Sequence, residues 1–281
     1  MVSRRAAGPR VVLARALVYL ALLVVVAVSL FPIYFALTTS LKPTREAFTT
    51  PPTWIFTPTL EHHRFIWLET PFPRYLVNTL VITLGTVLLS IPLGGMAAYY
   101  LARYRSRSIQ ALLFTLLAVR AFPRILLLVP FFLLARAAEL YDTHLVIILI
   151  IVAFNQPFAI WLMRGFFLDV PRELPEAAMI DGCGSLGAFV RVVLPVVRPG
   201  VFTAALFTFL FAYNEFLYCL ILTGNRAKPL SVAIAQYGAE KIEYWSWSAA
   251  GAVGILAPVV IFIAVMQRHL IKGLTFGTLK G

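Results

Sequence analysis

Charge is scarce in this chain. Only 13% of its 281 residues are Asp, Glu, Lys or Arg and 60% are hydrophobic, which leaves too little polar surface to cover a water-soluble globule of that length. Acid is scarcest, with 12 Asp and Glu against 24 Lys and Arg. An excess of base can point to nucleic acid, but here the arginines flank apolar runs and form no basic and aromatic stripe on a soluble domain, so no nucleic-acid partner is expected. Cysteine is nearly absent: Cys183 and Cys219 cannot make a disulfide framework, and two thiols without matching histidines make a poor zinc site. His62 and His63 stand beside Glu61 in a polar segment that reads as a solvated loop rather than a metal site. No G-x-x-x-x-G-K-[ST] loop occurs, so the chain does not cradle ATP in that way.

What the chain has in quantity is long apolar runs. A helix rises about 1.5 Å per residue, so roughly 20 apolar residues cross about 30 Å of hydrocarbon. The expected spans are residues 16–37, 75–101, 109–134, 145–168, 201–222 and 249–266. They give an all-α integral membrane protein with about six transmembrane helices. Pro32 bends the first, Gly94 and Gly95 let the second approach a neighbour closely, and Arg120, Pro123, Arg124 and Pro130 interrupt the third. Arg4, Arg5, Arg10 and Arg15 before the first run imitate a signal peptide, but the run is too long and no A-x-A site follows, so it reads as an uncleaved span. The whole chain, 1–281, reads as one transmembrane domain. It comprises a first span with a proline-rich outer loop to 74, a core from 75 to 270 and a tail from 271 to 281. Lys and Arg are more numerous on the side that holds both termini and residues 169–199, which makes that side cytoplasmic.

Residues 169–199 have the grammar of two short helices. Pro175 followed by Glu176 suits a helix start and Gly182 a stop. A second helix can open at Ser185 as N-cap, place Leu186, Phe189, Val190, Val193 and Leu194 on one face, and end at Pro195. Such an amphipathic element can rest on lipid headgroups or dock on a partner, and periodicity alone does not choose.

The residues themselves resemble a known family. Glu176-Ala177-Ala178-Met179-Ile180-Asp181-Gly182, followed by Phe189, Leu194-Pro195 and Pro199, is similar to the EAA loop of binding-protein-dependent ABC importer permeases. Three further segments resemble the carbohydrate branch, in particular the MalG-like permeases of the maltose type. Tyr213-Asn214-Glu215-Phe216 is similar to its W-N-E-F segment, with tyrosine in place of tryptophan. Arg120-Ala121-Phe122-Pro123 is similar to its R-M-x-P segment, and residues 273–281 to its G-L-T-x-G-x-x-K-G tail.

The resemblance implies the transmembrane domain of a type I ABC importer, moving a carbohydrate by alternating access. It implies that Glu176, Ala177, Ala178, Asp181, Gly182, Leu194 and Pro195 form a coupling helix seated in a cytoplasmic ATPase dimer. ATP and Mg then sit on that partner, and this chain binds no cofactor and catalyses nothing. A second, homologous permease subunit and an extracytoplasmic substrate-binding protein complete the implied machine, in the cytoplasmic membrane. The loop at 225–246, with Tyr237 and Trp245, is implied to face the binding protein, and the tail residues Gly277, Lys280 and Gly281 to reach the ATPase.

An ionised side chain inside a span is expensive and usually functional. Glu215 in the fifth span therefore invites a partner, and Arg120 or Arg124, one turn apart in the third, can supply it. Arginines that snorkel to the interface are the plainer alternative. Tyr213, Asn214, Phe216, Phe211, Asn155 and Gln156 offer aromatic faces and amides for a sugar along the path. An ion-coupled secondary transporter, or an importer of a polyol or glycerol phosphate, would use similar intramembrane charges. A membrane enzyme would need a nucleophile, metal pair or oxyanion device, and none is legible.

Overall fold

The computed structural model describes residues 9–47, 49–104, 106–240 and 244–275. These are helical or irregular, with no strand among them. The first helix, α1 (Pro9–Leu41), is apolar on every side and exposed along almost its whole length. Its solvent is lipid, because nothing in water would stabilise so apolar a surface. Two one-turn helices follow, α2 (Thr44–Ala47) and α3 (Glu61–Arg64), the latter running into a π-helical turn, Phe65–Glu69.

The long helix α4 (Phe72–Arg103) comes next, then α5 (Arg107–Ala121), a 3₁₀ turn (Arg124–Leu127) and α6 (Leu128–Ala137). Ser106 caps α5 by accepting the Ile109 N–H at 3.2 Å, and Phe122 turns extended ahead of Pro123, as the residue before proline must. The chain bends by 86° there. Helix α7 (His144–Leu168) starts on Thr143, whose hydroxyl accepts the Val146 N–H at 3.4 Å. It is followed by α8 (Glu173–Ile180), α9 (Ser185–Ala188), a π-helical turn (Phe189–Val193) and α10 (Leu194–Val196). A bend of 83° leads into α11 (Arg198–Tyr213). The chain ends with α12 (Leu217–Leu222), α13 (Leu230–Glu240) and α14 (Tyr244–Thr275).

Four helices are long and apolar enough to cross a membrane, and the number rises to six if each bent pair counts as one span. The six expected runs are mostly helical, but the third is broken, and the second bent pair joins residues 185–196 to α11 rather than spanning the expected run 201–222, which is itself split between α11 and α12. The interruption expected within 109–134 is a full break, because Pro123 and the pre-proline geometry of Phe122 remove the middle of the helix.

The chain divides into two compact units, residues 1–70 with 237–254, and residues 71–236 with 255–281. In the first, the segment after α1 folds back onto the helix end. His62 is buried, its Nε2 2.9 Å from the Lys42 carbonyl, and His63 Nε2 lies 3.0 Å from the Ser40 hydroxyl. The solvated histidine loop expected from the sequence is thus a packed turn, and burial together with neighbouring His62 lowers the His63 pKa. No group of three metal-ligating side chains forms among the described residues. Lys42 is also buried, its ammonium over the rings of Trp54 and Phe56.

In the second unit α4 lies along α7, and α11 packs on both. Ile82, Ile147, Ile151, Tyr218 and Leu222 form one buried cluster, and Ala98, Ala159, Met163, Phe167, Phe189 and Val193 another. Gly94 makes the expected close approach: a Cβ there would stand 2.8 Å from Gln156 Oε1 and 3.0 Å from Met163 Cε. Gly95 does not, having only Met163 Sδ at 3.9 Å. Between the helices Asn155 donates to the hydroxyls of Ser90 at 3.1 Å and Thr208 at 2.8 Å.

Candidate functional site

The segment between α7 and α11 is two helices, but its boundaries differ from expectation. Helix α8 begins two residues before Pro175, at Glu173, so both Glu173 and Glu176 meet the positive end of its dipole. Gly182 ends it at φ +91°, a left-handed conformation that costs other residues strain. Gly184 rather than Ser185 occupies the next N-cap. Pro195 does not end the second helix. It falls in the first turn of α10, after a π-turn, where its missing N–H is not needed. Glu176, Ala177 and Asp181 are exposed, Ala178 is buried, Leu194 is half-buried and Pro195 is exposed. Phe189 and Val193 anchor the segment, Phe189 lying against Tyr99 and Phe167 with centroids 5.0 and 6.0 Å away. The segment is thereby fixed to the ends of α4 and α7 while its acidic first turn faces outward.

The two breaks within spans meet. Arg124, at the restart after the α5 break, donates to a carboxylate oxygen of Glu215, which lies in the break between α11 and α12. The other oxygen of Glu215 accepts the Tyr218 N–H at 3.2 Å, and the Tyr218 hydroxyl donates to the Arg124 carbonyl at 2.9 Å. The guanidinium of Arg124 also sits over the rings of Phe154 and Tyr218. Arg120 takes no part in this pair. Its guanidinium lies 4.5 Å from the Phe158 ring centroid and 5.3 Å from that of Phe211. The break at Pro123 means that the two arginines do not share a helical face, yet both line one cavity of about 160 Å³ with Ile151, Phe154, Asn155, Phe211 and Glu215.

Other residues expected along the path are differently placed. Tyr213 is buried, stacked on Phe209, and donates to the Ile255 carbonyl at 2.8 Å. Asn214 and Phe216 are exposed, Asn214 donating to the Leu210 carbonyl at 2.8 Å. Gln156 donates to the Ser90 carbonyl at 3.2 Å. The amides of Asn155 and Gln156 and the Tyr213 hydroxyl bridge helices, and Asn155 also lines the cavity beside Glu215. Gly277, Lys280 and Gly281 lie outside the described residues.

The sequence reading missed a polar lock at the other end of α7. Asp142, at φ +59°, accepts four backbone N–H groups, from Gly224 (2.8 Å), Asn225 (3.1 Å), Arg226 (3.0 Å) and Ala227 (3.0 Å). Burial raises its pKa, but these four donors outweigh burial and leave it below the usual value. Asn78 donates to the carbonyls of Arg226 and Lys228, both at 2.9 Å, and its own oxygen lies 2.8 Å from His144 Nε2. The following segment is not the plain loop expected over 225–246, because it contains α13, anchored by buried Leu230, Val232 and Ala233. Ser231 donates to the Glu215 carbonyl at 3.0 Å. The available signal was an aspartate, tolerant of left-handed backbone, directly before the Thr143 cap.

Residues 90–276 match the family described as binding-protein-dependent transport system inner membrane component. The chain belongs to that family. It is a multi-pass membrane permease subunit, and its family is one of transport rather than catalysis. It is 37% identical to the sulfoquinovosyl glycerol transport system permease protein SmoH of Agrobacterium fabrum, over 90% of this chain and 89% of that one. It is 36% identical to the trehalose transport system permease protein SugB of Mycobacterium tuberculosis, over 92% and 94%. The fold matches a chain of the crystallised bacterial ABC transporter involved in import of the acidic polysaccharide alginate, with a TM-score of 0.75 at 21% identity, over 95% of this chain and 99% of that chain. The permease family thus spans both breaks and the two-helix segment between α7 and α11.

Proposed function

We propose that this permease carries a carbohydrate across the cytoplasmic membrane as one subunit of an ATP-driven importer. The observation that carries the reading is end-to-end similarity to permeases named for trehalose and sulfoquinovosyl glycerol transport, in a chain whose family is defined by dependence on a binding protein. Both termini and the α8–α10 segment face the cytoplasm, where an ATPase dimer that holds ATP and Mg seats on exposed Glu176, Ala177 and Asp181. A second, homologous permease subunit closes the path, and a binding protein delivers the sugar on the opposite side, above α13.

Helix α11 supplies the coupling. Its 16 residues make a rod of about 24 Å, starting at the bend behind α10 and ending at Asn214-Glu215. A rigid-body displacement of the two-helix segment is delivered along it to the Arg124–Glu215 pair and the cavity beside it. The aromatic faces of Phe154 and Phe211 and the guanidinium of Arg120 line this part of the path.

The test is uptake of labelled disaccharides into proteoliposomes holding the permease with its partner subunits. Uptake that requires both ATP and the binding protein is expected. Uptake driven by an ion gradient without ATP would overturn the reading, and uptake of a polyol in place of any sugar would move the substrate class.

A further inference from the structure

Three cations gather around the Asp142 lock without an anion of their own. Arg74 lies in the first turn of α4, where the positive end of the helix dipole disfavours a cation. Arg226 and Lys228 follow in the segment between α12 and α13. The charges of Arg74 and Arg226 both reach the His144 imidazole, and the Lys228 ammonium lies 6.0 Å from the ring centroid of Tyr75, the neighbour of Arg74 in the chain. The two ion pairs among the described residues join Arg45 to Glu46 and Arg124 to Glu215, and none of the three cations takes part in them. The carboxylate at hand, Asp142, is occupied, since each of its oxygens accepts two main-chain N–H groups. Arg74 and Arg226 are exposed, and Lys228 is half-buried with its ammonium 3.2 Å from Gln236 Oε1.

The main chain that carries Arg226 and Lys228 is fixed from three directions. Asp142 takes its N–H groups, the Asn78 amide donates to both carbonyls, and the Leu230 N–H that follows donates to the Thr79 hydroxyl at 2.9 Å. A segment tied in this way loses little entropy on contact and is preorganised for a partner of fixed shape. Lipid phosphates need no such framework, because polybasic segments are drawn to them by charge alone. The placement is also unfavourable in itself. Lys and Arg flanking a span favour the cytoplasmic side, so cations at the opposite side oppose the orientation of the chain. Local rules broken together are expected where a surface has a function.

We propose, resting on the orientation and the binding protein of the proposed function, that Arg74, Arg226 and Lys228 form a cationic docking rim, and that the binding protein meets it with a cluster of surface carboxylates. Such a rim steers the encounter and fixes its register more than it adds affinity. It is also joined to the path. The rim segment leads directly into α13, whose Ser231 donates to the Glu215 carbonyl at 3.0 Å, so load placed on Arg226 reaches the break between α11 and α12.

The test measures the concentration of binding protein that half-saturates ATP hydrolysis by the assembled transporter, in nanodiscs of phosphatidylcholine and of phosphatidylglycerol. Salt is varied between about 0.01 and 0.1 M, over which the Debye length falls from about 30 to about 10 Å. The double variant Arg74→Gln with Arg226→Gln should raise the half-saturating concentration about fivefold at the lower salt, the scale of two rim ion pairs, and should flatten its dependence on salt. Both side chains are exposed, so the fold does not depend on them. Arg74→Lys with Arg226→Lys keeps the charge and should keep the wild-type value and salt dependence. A glutamine variant that matches wild type, or a lysine variant as impaired as the glutamine one, would overturn the rim. So would a loss confined to phosphatidylglycerol, which assigns the cations to lipid headgroups. Hydrolysis and uptake by the wild type that ignore the binding protein would overturn the proposed function itself, and the rim with it.

Discussion

Removing Arg124 should destabilise the permease more than removing Glu215, although the two form one ion pair. The side chain of Glu215 is 6% exposed and that of Arg124 is 42% exposed. Arg124→Gln strands a buried carboxylate whose remaining hydrogen bond is from the Tyr218 N–H. Breaking a fully buried pair costs about 3–5 kcal/mol. Half-exposure of the arginine discounts this, and a loss of about 2–3 kcal/mol is expected. Glu215→Gln strands a cation that already opens to the cavity and rests on two aromatic faces, and the glutamine oxygen can still accept from Tyr218. The expected loss is about 1 kcal/mol. The assay is denaturant-titrated unfolding in mixed micelles for both singles and the double, with a parallel cycle for Arg120 and Glu215. Coupling of about 1–2 kcal/mol is expected for Arg124 with Glu215, and within about 0.5 kcal/mol of zero for Arg120. Larger coupling to Arg120, or a greater loss from Glu215→Gln than from Arg124→Gln, would refute the reasoning.

Glu176→Lys reverses a charge on the exposed first turn of α8 and should leave unfolding unchanged within about 0.5 kcal/mol; sugar uptake per ATP hydrolysed should fall at least about tenfold, measured in the same vesicles. Asp142→Asn removes an acceptor of four N–H groups and should cost about 1.5–3 kcal/mol at neutral pH. Because the folded pKa of Asp142 lies below the unfolded value of about 3.9, its contribution is full above that value and disappears as pH falls through the folded pKa. The stability curves of wild type and variant should therefore converge in acid, and a gap that persists below both pKa values would contradict the assignment. Asn155→Leu should cost about 0.6–1.7 kcal/mol, the range for hydrogen bonds between helices in membranes, as a lower unfolding midpoint in micelles.

The spans were legible because lipid imposes one requirement, an apolar stretch of sufficient length, and α1, α4, α7 and α14 meet it without exception. The third was legible as an interruption but not as geometry. Pro123 announces a break, but the 86° bend depends on what α5 and α6 pack against. For the same reason helical spacing correctly nominated Arg120 and Arg124 as candidates and could not choose between them, since the break cancels the shared face on which that pairing rests. Gly182 was readable as a stop because left-handed backbone is a local property. Asp142 was not readable as a lock, because its four donors lie more than 80 residues away and are main-chain groups that carry no sequence signature.

Glu215 serves two elements by two different routes. Its side chain holds Arg124, while its main-chain carbonyl receives Ser231 from α13. A carbonyl oxygen survives every substitution at its own position. Variation at residue 215 can therefore retune the grip on the broken third span generation after generation while the tether to α13 is inherited unchanged. The one codon at which that tether's side-chain partner can be edited is 231, so the two attachments are genetically separable even though they converge on a single residue.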